Sequence, residues 1–477
     1  MMRYETVIGL EVHAQLKTKT KIWCGCPTDF GEDANRNTCP VCTGMPGVLP
    51  VLNRTAVEYA IKMGLALGCR INPISVFARK NYFYPDLPMG YQISQYELPL
   101  AEHGRVAIRC GESRKLVGVT RIHLENDAGK SMHSTGENAS YVDLNRAGVP
   151  LIEIVSEPDM RSPDEAVAYL KALHSVLLYL GICDGNMEEG SFRCDANVSL
   201  RPEGRVELGV RTEIKNMNSF RNVHRALELE IRRHRGILED GEAVVQETRL
   251  YDAVRNETRS MRGKEEAQDY RYFPDPDLRP LEVPAEWVEA IRATLPELPG
   301  AKRERFENVM GLTSNDAEFL AAGRDLAEYF EHAVEAGGDP KRIANWITGE
   351  FMRILNECGD GLRECGLHPR DLATLVGLVD EEVVSGNVGK QVLRELFYRG
   401  GDPKDYVKKQ GLTQVSDVSA LEELVQDILD RHPEELVRLR NGDKKLMGFF
   451  VGQAMRASQG KADPKALNEI LAKVVRS

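Results

Sequence analysis

The chain has 477 residues, 42% hydrophobic and 28% charged, with ten cysteines and a net charge of -11. At this length roughly two to four domains with sizeable cores are expected, and no apolar run approaches the ~18 residues needed to cross a bilayer. The acidic balance argues against a protein that simply coats nucleic acid, and the cysteines are too few for a disulfide scaffold.

The first segment, MMRYETVIGLEVHAQ, runs straight into an alternating pattern and lacks the basic, apolar and small-residue sections of an export signal. A cytoplasmic location is expected. Side chains two apart on a strand share a face, so Ile8, Leu10, Val12, Ala14 and Leu16 fall on one side and Glu11, His13 and Gln15 on the other. Next come Cys24, Cys26, Cys39 and Cys42, spaced C-x-C-x12-C-x2-C in a loop rich in Pro, Gly and Asp. Two close cysteine pairs about a dozen residues apart fit the plan of a four-thiolate zinc clip, and a closed thiolate shell makes that zinc structural. Unligated thiols and redox chemistry are the alternatives. Cys69, Cys110, Cys183, Cys194, Cys358 and Cys365 read as core thiols.

A helix is expected from Asn53 to Gly68, and KLVGVTRIHLEND then sets Ile122 and Leu124 against Arg121, His123 and Glu125. The Gly-Lys-Ser of DAGKSM is not a phosphate-cradling loop, because Leu124 stands where that loop needs glycine. PLIEIVSEPD places Glu153 between Ile152 and Ile154, and Ser162-Pro163-Asp164-Glu165 is a helix start running on to Gly181. SFRCDANVSLR buries Phe192, Cys194, Ala196, Val198 and Leu200 and presents Arg193, Asp195, Asn197, Ser199 and Arg201. ELGVRTEIKN is expected to bury Leu208, Val210 and Ile214 and to present Arg211, Glu213 and Lys215. A third helix begins near Ser219, carries Phe220, Val223, Leu227 and Ile231 at helical spacing, and ends in RRHRG.

An antiparallel sheet with one wet face explains any single strand of this kind. Together, however, the polar faces carry Glu, His, Asn, Asp and Arg with little Thr or Lys. Five such strands in one sheet make a carboxylate-lined floor. Clustered carboxylates repel unless a cation neutralises them, and oxygen ligands with an imidazole suit magnesium or manganese. Arg193, Arg201, Arg211 and Lys215 could then hold phosphate oxygens. No dinucleotide fingerprint, hydrolase elbow or kinase signature is present.

LPELPG, Leu295 to Gly300, marks a change to almost wholly helical sequence. A short helical segment follows over 301–323, and Gly337, Gly338 and Pro340 punctuate the helical tail. IRRHRG, AKRER and RLRNGDKK (Ile231, Ala301 and Arg438 onward) are basic islands on the acidic chain.

IGLEVHAQL, CPVCTGMPGVLPVLN, RKNYFYPDLPMGYQISQ, LENDAGKS, EEGSFRCDANVSLR, RTEIKNMNSF and DYRYFPDPDL occur in this order. Over essentially its whole length the chain resembles the B-subunit family of bacterial tRNA-dependent amidotransferases. The resemblance implies an α+β fold: a cradle-like antiparallel sheet domain over 1–294 with a zinc-binding insertion at 24–42, a small helical domain over 295–328, and an all-α, tRNA-binding tail over 329–477. It implies an ATP- and magnesium-dependent ligase that phosphorylates the side-chain carboxylate of Glu-tRNA(Gln) or Asp-tRNA(Asn). Ammonia from a separate glutaminase, the A subunit, then displaces the phosphate. A small C subunit and a non-discriminating aminoacyl-tRNA synthetase are the further partners implied, and no membrane. The family's magnesium pattern falls on Glu11, His13, Glu125, Glu153, Asp195 and Glu213, and its zinc pattern on the four loop cysteines. Lys80, Asn81 and Tyr82 fall near the site or the ammonia path, with Lys80 beside Arg193, Arg211 and Lys215 as a nucleotide contact. Met89 stands where the family usually has lysine. A magnesium-dependent nuclease and a non-catalytic RNA-binding scaffold are the rival readings.

Overall fold

The computed structural model describes residues 3–133, 139–261, 270–359, 361–413, 418–443, 445–458, 462 and 464–476. Asp269, which opens DYRYFPDPDL, and Lys444 of the third basic island lie outside them. The chain divides into two compact units, Met1–Leu298 and Pro299–Ser477.

The first unit is α+β and built on a nine-stranded sheet. Its strands are β1 (Tyr4–Gln15), β2 (Arg70–Ile71), β3 (Ala101–Cys110), β4 (Ser113–Asn126), β5 (Pro150–Ser156), β6 (Phe192–Pro202), β7 (Thr212–Lys215), β8 (Glu247–Asp252) and β9 (Glu257–Ser260). They lie in the order β9-β8-β7-β6-β1-β5-β4-β3-β2. Every pair is antiparallel except β7 and β8. The sheet is therefore mixed where the sequence suggested an antiparallel one. The helix between β7 and β8 is the crossover that a parallel pair of neighbouring strands requires.

Three helices pack beneath it: α1 (Arg54–Ala66), α2 (Pro163–Leu180) and α3 (Phe220–Glu239). Asn53, Ser162 and Ser219 cap them by accepting from first-turn amides, and Gly181 ends α2 in the left-handed conformation at φ 66°. Glu165 does reach back, accepting from the Arg161 amide at 2.8 Å. α3 does not stop at the basic run but continues to Glu239. A lone glycine such as Gly236 costs a helix only about 1 kcal/mol, which does not suffice to end it. Ile8, Leu10, Val12, Ala14, Leu170, Leu173, Leu177, Val223 and Leu227 share the core under the sheet.

Two other expectations fail in this unit. Leu208 and Val210 are exposed, because 203–211 is a loop lying against the edge of β6. Gly209 approaches the Leu200 carbonyl so closely that an added Cβ would stand 2.0 Å from it, and strand pairing starts only at Thr212. Among the supposed core thiols, Cys69, Cys183 and Cys194 are buried, whereas Cys110, Cys358 and Cys365 are partly exposed.

In the second unit, the segment expected over 301–323 is two helices, Pro299–Asn308 and Ser314–Ala321, parted by Gly311 at φ 69°. Helices starting at Pro340, Pro369, Pro403 and Pro433 follow, each with proline where its missing N–H leaves no carbonyl unpaired. Leu421, Val425, Leu429, Phe450, Leu467 and Leu471 join the last helices into a small core. Among the described residues no helix is long and apolar enough to cross a membrane.

Candidate active site and cysteine clip

The strands carrying the polar alternation, β7, β6, β1, β5 and β4, are neighbours in the sheet. Register sets their side chains opposite one another: Glu11 faces Asp195, His13 faces Glu153 on one side and Arg193 on the other, and Glu153 faces His123. Asn197 faces Glu213. One face is thereby acidic and the other apolar. Part of the acidic face is buried as well, since a three-stranded sheet of Ala78–Asn81, Tyr91–Ser94 and Phe273–Pro274 lies over the end of β4. Ile93 donates its amide to Asn126 Oδ1 at 2.8 Å, Gln92 donates to the Asn126 carbonyl at 2.9 Å, and Ser94 Oγ donates to Glu125 at 3.2 Å.

Two clusters form on this floor. His13, Glu125 and Glu153 converge with candidate ligand atoms within 4.8 Å of one another. Glu153 Oε2 lies 3.3 Å from His13 Nε2 and 3.5 Å from His123 Nε2, and the latter is 3.6 Å from Glu125. In the second cluster Lys215 Nζ stands 2.6 Å from Asp195 and 3.0 Å from Glu213, while Asn197 donates to Glu11 at 3.1 Å. Asp195 and Glu213 are thus clasped by a lysine and do not join the three converging ligands.

Electrostatics separate the groups. Burial, and then the charges of Glu153, Glu213 and Asp195, push the Glu11 carboxyl up. Burial disfavours a charged His13, but the hydrogen bond and charge of Glu153 outweigh it and push His13 up to about 9. Glu153 is correspondingly held well below the usual carboxylate range by His123 and His13 against its own burial. Lys80, despite burial, is held above the usual lysine range first by Glu125 and then by Tyr272 and Glu153, and its ammonium lies 4.9 Å from the centre of the Tyr270 ring. Imidazole with carboxylate donors fits a small divalent cation.

The basic residues divide. Arg193 donates to Asp127 at 2.9 Å, and Arg211 is exposed just before β7, where it helps keep Glu213 ionised. Arg201 lies at the far end of the same face, where it binds Glu5 at 2.6 Å and the Val206 carbonyl at 2.9 Å. Two further residues belong to the site although the sequence motifs do not mark them. His123, which bridges Glu125 and Glu153, sits on the same alternation and was legible there. Asp127, buried and accepting from Gln15 at 2.7 Å as well as from Arg193, lies one residue past the strand and continues the alternation of His123 and Glu125.

The sulfurs of Cys24, Cys26, Cys39 and Cys42 also lie within 4.8 Å of one another. Four thiolates at about 2.3 Å from zinc in a tetrahedron stand roughly 3.8 Å apart, and Cys39 and Cys42 are 3.9 Å apart. Hydrogen bonding with Cys42 pushes Cys24 far up, and the same bond pulls Cys42 down to about 4. Trp23, next to the clip, donates to Asn126 at 3.3 Å, so the loop is tied to the residue between Glu125 and Asp127.

Comparison with known proteins agrees along the whole chain. A family model described as the GatB/GatE catalytic domain matches residues 6–289, and one described as the GatB domain matches 328–475. The chain is 62% identical over 473 residues to a protein of Solidesulfovibrio magneticus, with 99% of both chains covered, and 60% identical over 471 residues to one of Oleidesulfovibrio alaskensis, again with 99% of both. A protein of Geobacter sulfurreducens is 56% identical over 478 residues, with 100% of both covered. All three are named as the B subunit of an aspartyl/glutamyl-tRNA(Asn/Gln) amidotransferase.

Proposed function

The chain belongs to the family of aspartyl/glutamyl-tRNA(Asn/Gln) amidotransferase B subunits, and from that premise we propose that its acidic floor activates the side-chain carboxylate of a mischarged aminoacyl-tRNA. The protein is a carbon–nitrogen ligase subunit that works in a multi-subunit amidotransferase. The nuclease and scaffold readings gain no support from its relatives.

One observation carries the assignment of the site: five adjacent strands turn Glu11, His13, Glu125, Glu153, Asp195 and Glu213 onto one face, with Arg193, Lys215 and Lys80 among them. A carboxylate resists amine attack because its charge and its oxide leaving group oppose it. In the first step an oxygen of the substrate carboxylate bonds to the γ-phosphorus of ATP and the bond to ADP breaks. Ammonia then bonds to the acyl carbon, phosphate leaves with the C–O electron pair, and nitrogen loses a proton to give the amide. Arg193, Lys215 and Arg211 bind phosphate oxygens, and Lys80, kept charged between Glu125 and two tyrosine rings, offsets negative charge at the buried end. These are positioning and electrostatic tasks that need no protein nucleophile. Magnesium, held by His13, Glu125 and Glu153 with Glu11, Asp195 and Glu213 around them, supplies neutralisation of phosphoryl charge when bound.

The four cysteines hold a structural zinc that fixes the loop bearing Trp23. A glutaminase partner supplies ammonia and a small third protein completes a heterotrimer, while residues 295–328 and 329–477 contact the tRNA. Glu-tRNA(Gln) and Asp-tRNA(Asn) are the substrates, and a synthetase delivers them.

The test is Glu125→Ala in the reconstituted complex with mischarged tRNA, ATP and glutamine. Losing one preorganised electrostatic group costs roughly 10²- to 10³-fold in rate. Amide formation is expected to fall by at least that, while glutamine hydrolysis by the partner persists at least in part. Undiminished acyl-phosphate formation in the variant overturns the assignment.

A further inference from the structure

Lys21 lies on the segment between β1 and α1, is 0% exposed, and has no carboxylate of the described residues within ion-pair distance. Its ammonium donates to the Leu144 carbonyl at 3.2 Å and to Cys42 Sγ at 3.5 Å. Its backbone amide donates to the Cys26 carbonyl at 2.9 Å, so both ends of the residue grip the clip. The alkyl stem passes Gly148, where an added Cβ would stand 3.5 Å from Lys21 Cδ. Beside it lies a cavity of about 130 Å³ whose lining mixes Trp23, Val41, Leu87 and Met89 with Asp127 and Asp277; Asp127 is already engaged by Arg193.

An ammonium removed from water is strongly disfavoured unless a counter-charge receives it. One carbonyl is a dipole and a neutral thiol carries no charge. A divalent ion inside four thiolates, by contrast, leaves a net negative shell. Cys42 is the sulfur to which that charge is directed, since the Cys39 amide also donates to it at 3.2 Å.

We propose that Lys21 is an outer-shell positioning residue of a zinc centre at Cys24, Cys26, Cys39 and Cys42, its buried ammonium offsetting the thiolate charge at Cys42 and slowing loss of the ion. The proposal rests on reading these cysteines as a metal clip. Met89 lines the same cavity and packs on Gly44 of the clip loop.

The experiment compares the full-length wild-type chain with Lys21→Met and Lys21→Arg, reading zinc content by elemental mass spectrometry and the rate of zinc transfer to a chromophoric chelator. Outer-shell partners are typically worth 10- to 100-fold in metal affinity. Lys21→Met is expected to release zinc roughly 10- to 100-fold faster than wild type, and Lys21→Arg, which keeps the charge, at close to the wild-type rate. A zinc-free wild-type protein overturns the clip and the proposal with it. Zinc present in wild type but released equally fast from Lys21→Met overturns the role of Lys21 alone. Should Lys21→Met not fold, amine labelling of wild type decides: Lys21 is protected in zinc-loaded protein and labelled after chelation, and equal labelling in both overturns the proposal.

Discussion

Glu153 stands between two imidazoles, with its Oε2 3.3 Å from His13 and 3.5 Å from His123. Asp127 plays a comparable part for the basic side of the site. It accepts from Arg193 at 2.9 Å and Gln15 at 2.7 Å, and Arg146 lies 3.7 Å away. Asp127→Asn keeps the shape but withdraws the charge that orients Arg193. A hydrogen bond to a charged group is worth about 1.5–3 kcal/mol, or roughly 10- to 100-fold. The variant is expected to lose that much in kcat/KM for ATP, with folding and the partner's glutamine hydrolysis unchanged. Steady-state kinetics in the assembled complex check this, and an unchanged kcat/KM removes Asp127 from the positioning of phosphate.

The crossover from β7 through α3 to β8 decides where Glu213 and Lys215 sit, and it is fastened by charge. Glu230 on α3 is fully buried and accepts from Arg233 at 2.7 Å, from Arg249 of β8 at 3.1 Å and from Thr258 of β9. Beside it His234 Nε2 is 2.8 Å from Thr212 Oγ1. Burial, and then the charge of Arg233, push His234 down to about 4, while Glu230 pulls the other way; Arg249 and Glu247 also face it. An unfolded histidine titrates near 6.5, so the unfolded chain takes up the proton first. Stability is expected to fall as pH drops from about 6.5 to about 4, with no contribution from this group above that window. Thermal unfolding of the full chain across pH, compared with His234→Gln, reads the difference as a flatter profile in the variant. Close packing on the far side of the sheet gives a second test. A Cβ on Gly104 of β3 would stand 2.4 Å from Cys69 Sγ and 3.0 Å from the Leu67 carbonyl. Overpacking of this kind costs about 1–3 kcal/mol, so Gly104→Ala is expected to unfold at lower urea with the site chemistry otherwise intact.

For the molecule as a whole, the acidic charge and the basic islands are the relevant scale. Parts of two islands are engaged within the protein. Arg233 belongs to the Glu230 network, and Lys302 and Arg305 both bind Glu331. Arg232 and Arg235 are exposed on α3 and are the island's candidates for phosphate contact. Each phosphate contact contributes about 0.9 to the salt slope on duplex nucleic acid. Arg232→Glu with Arg235→Glu is therefore expected to weaken tRNA binding and flatten that slope by about 2; titration at several salt concentrations checks it, and an unchanged slope takes this face out of the interface. The chain alone is expected to form no amide from glutamine, since in the proposed complex a glutaminase partner supplies the ammonia. Added ammonium salt, with ATP, magnesium and mischarged tRNA, is expected to restore measurable amide formation.

Much of the site was legible because strand geometry is local. A period of two assigns Glu11, His13, Glu125, Glu153, Asp195 and Glu213 to the polar side without knowledge of which strands are neighbours, and cysteine spacing likewise marks the clip. Caps at Asn53, Ser162 and Ser219 are local as well, being a side chain and an amide two or three residues on. Tertiary structure alone decided the rest. It set the strand order that makes one floor, the small sheet that buries half of it, and the parallel return of β8. It also drew Arg201 to Glu5, gave Asp127 its place beneath Arg193, and set Lys21 against Cys42. These pairings join groups far apart in the chain, whose meeting depends on packing and on where a buried charge finds its partner, and neither is written into the periodicity of a segment.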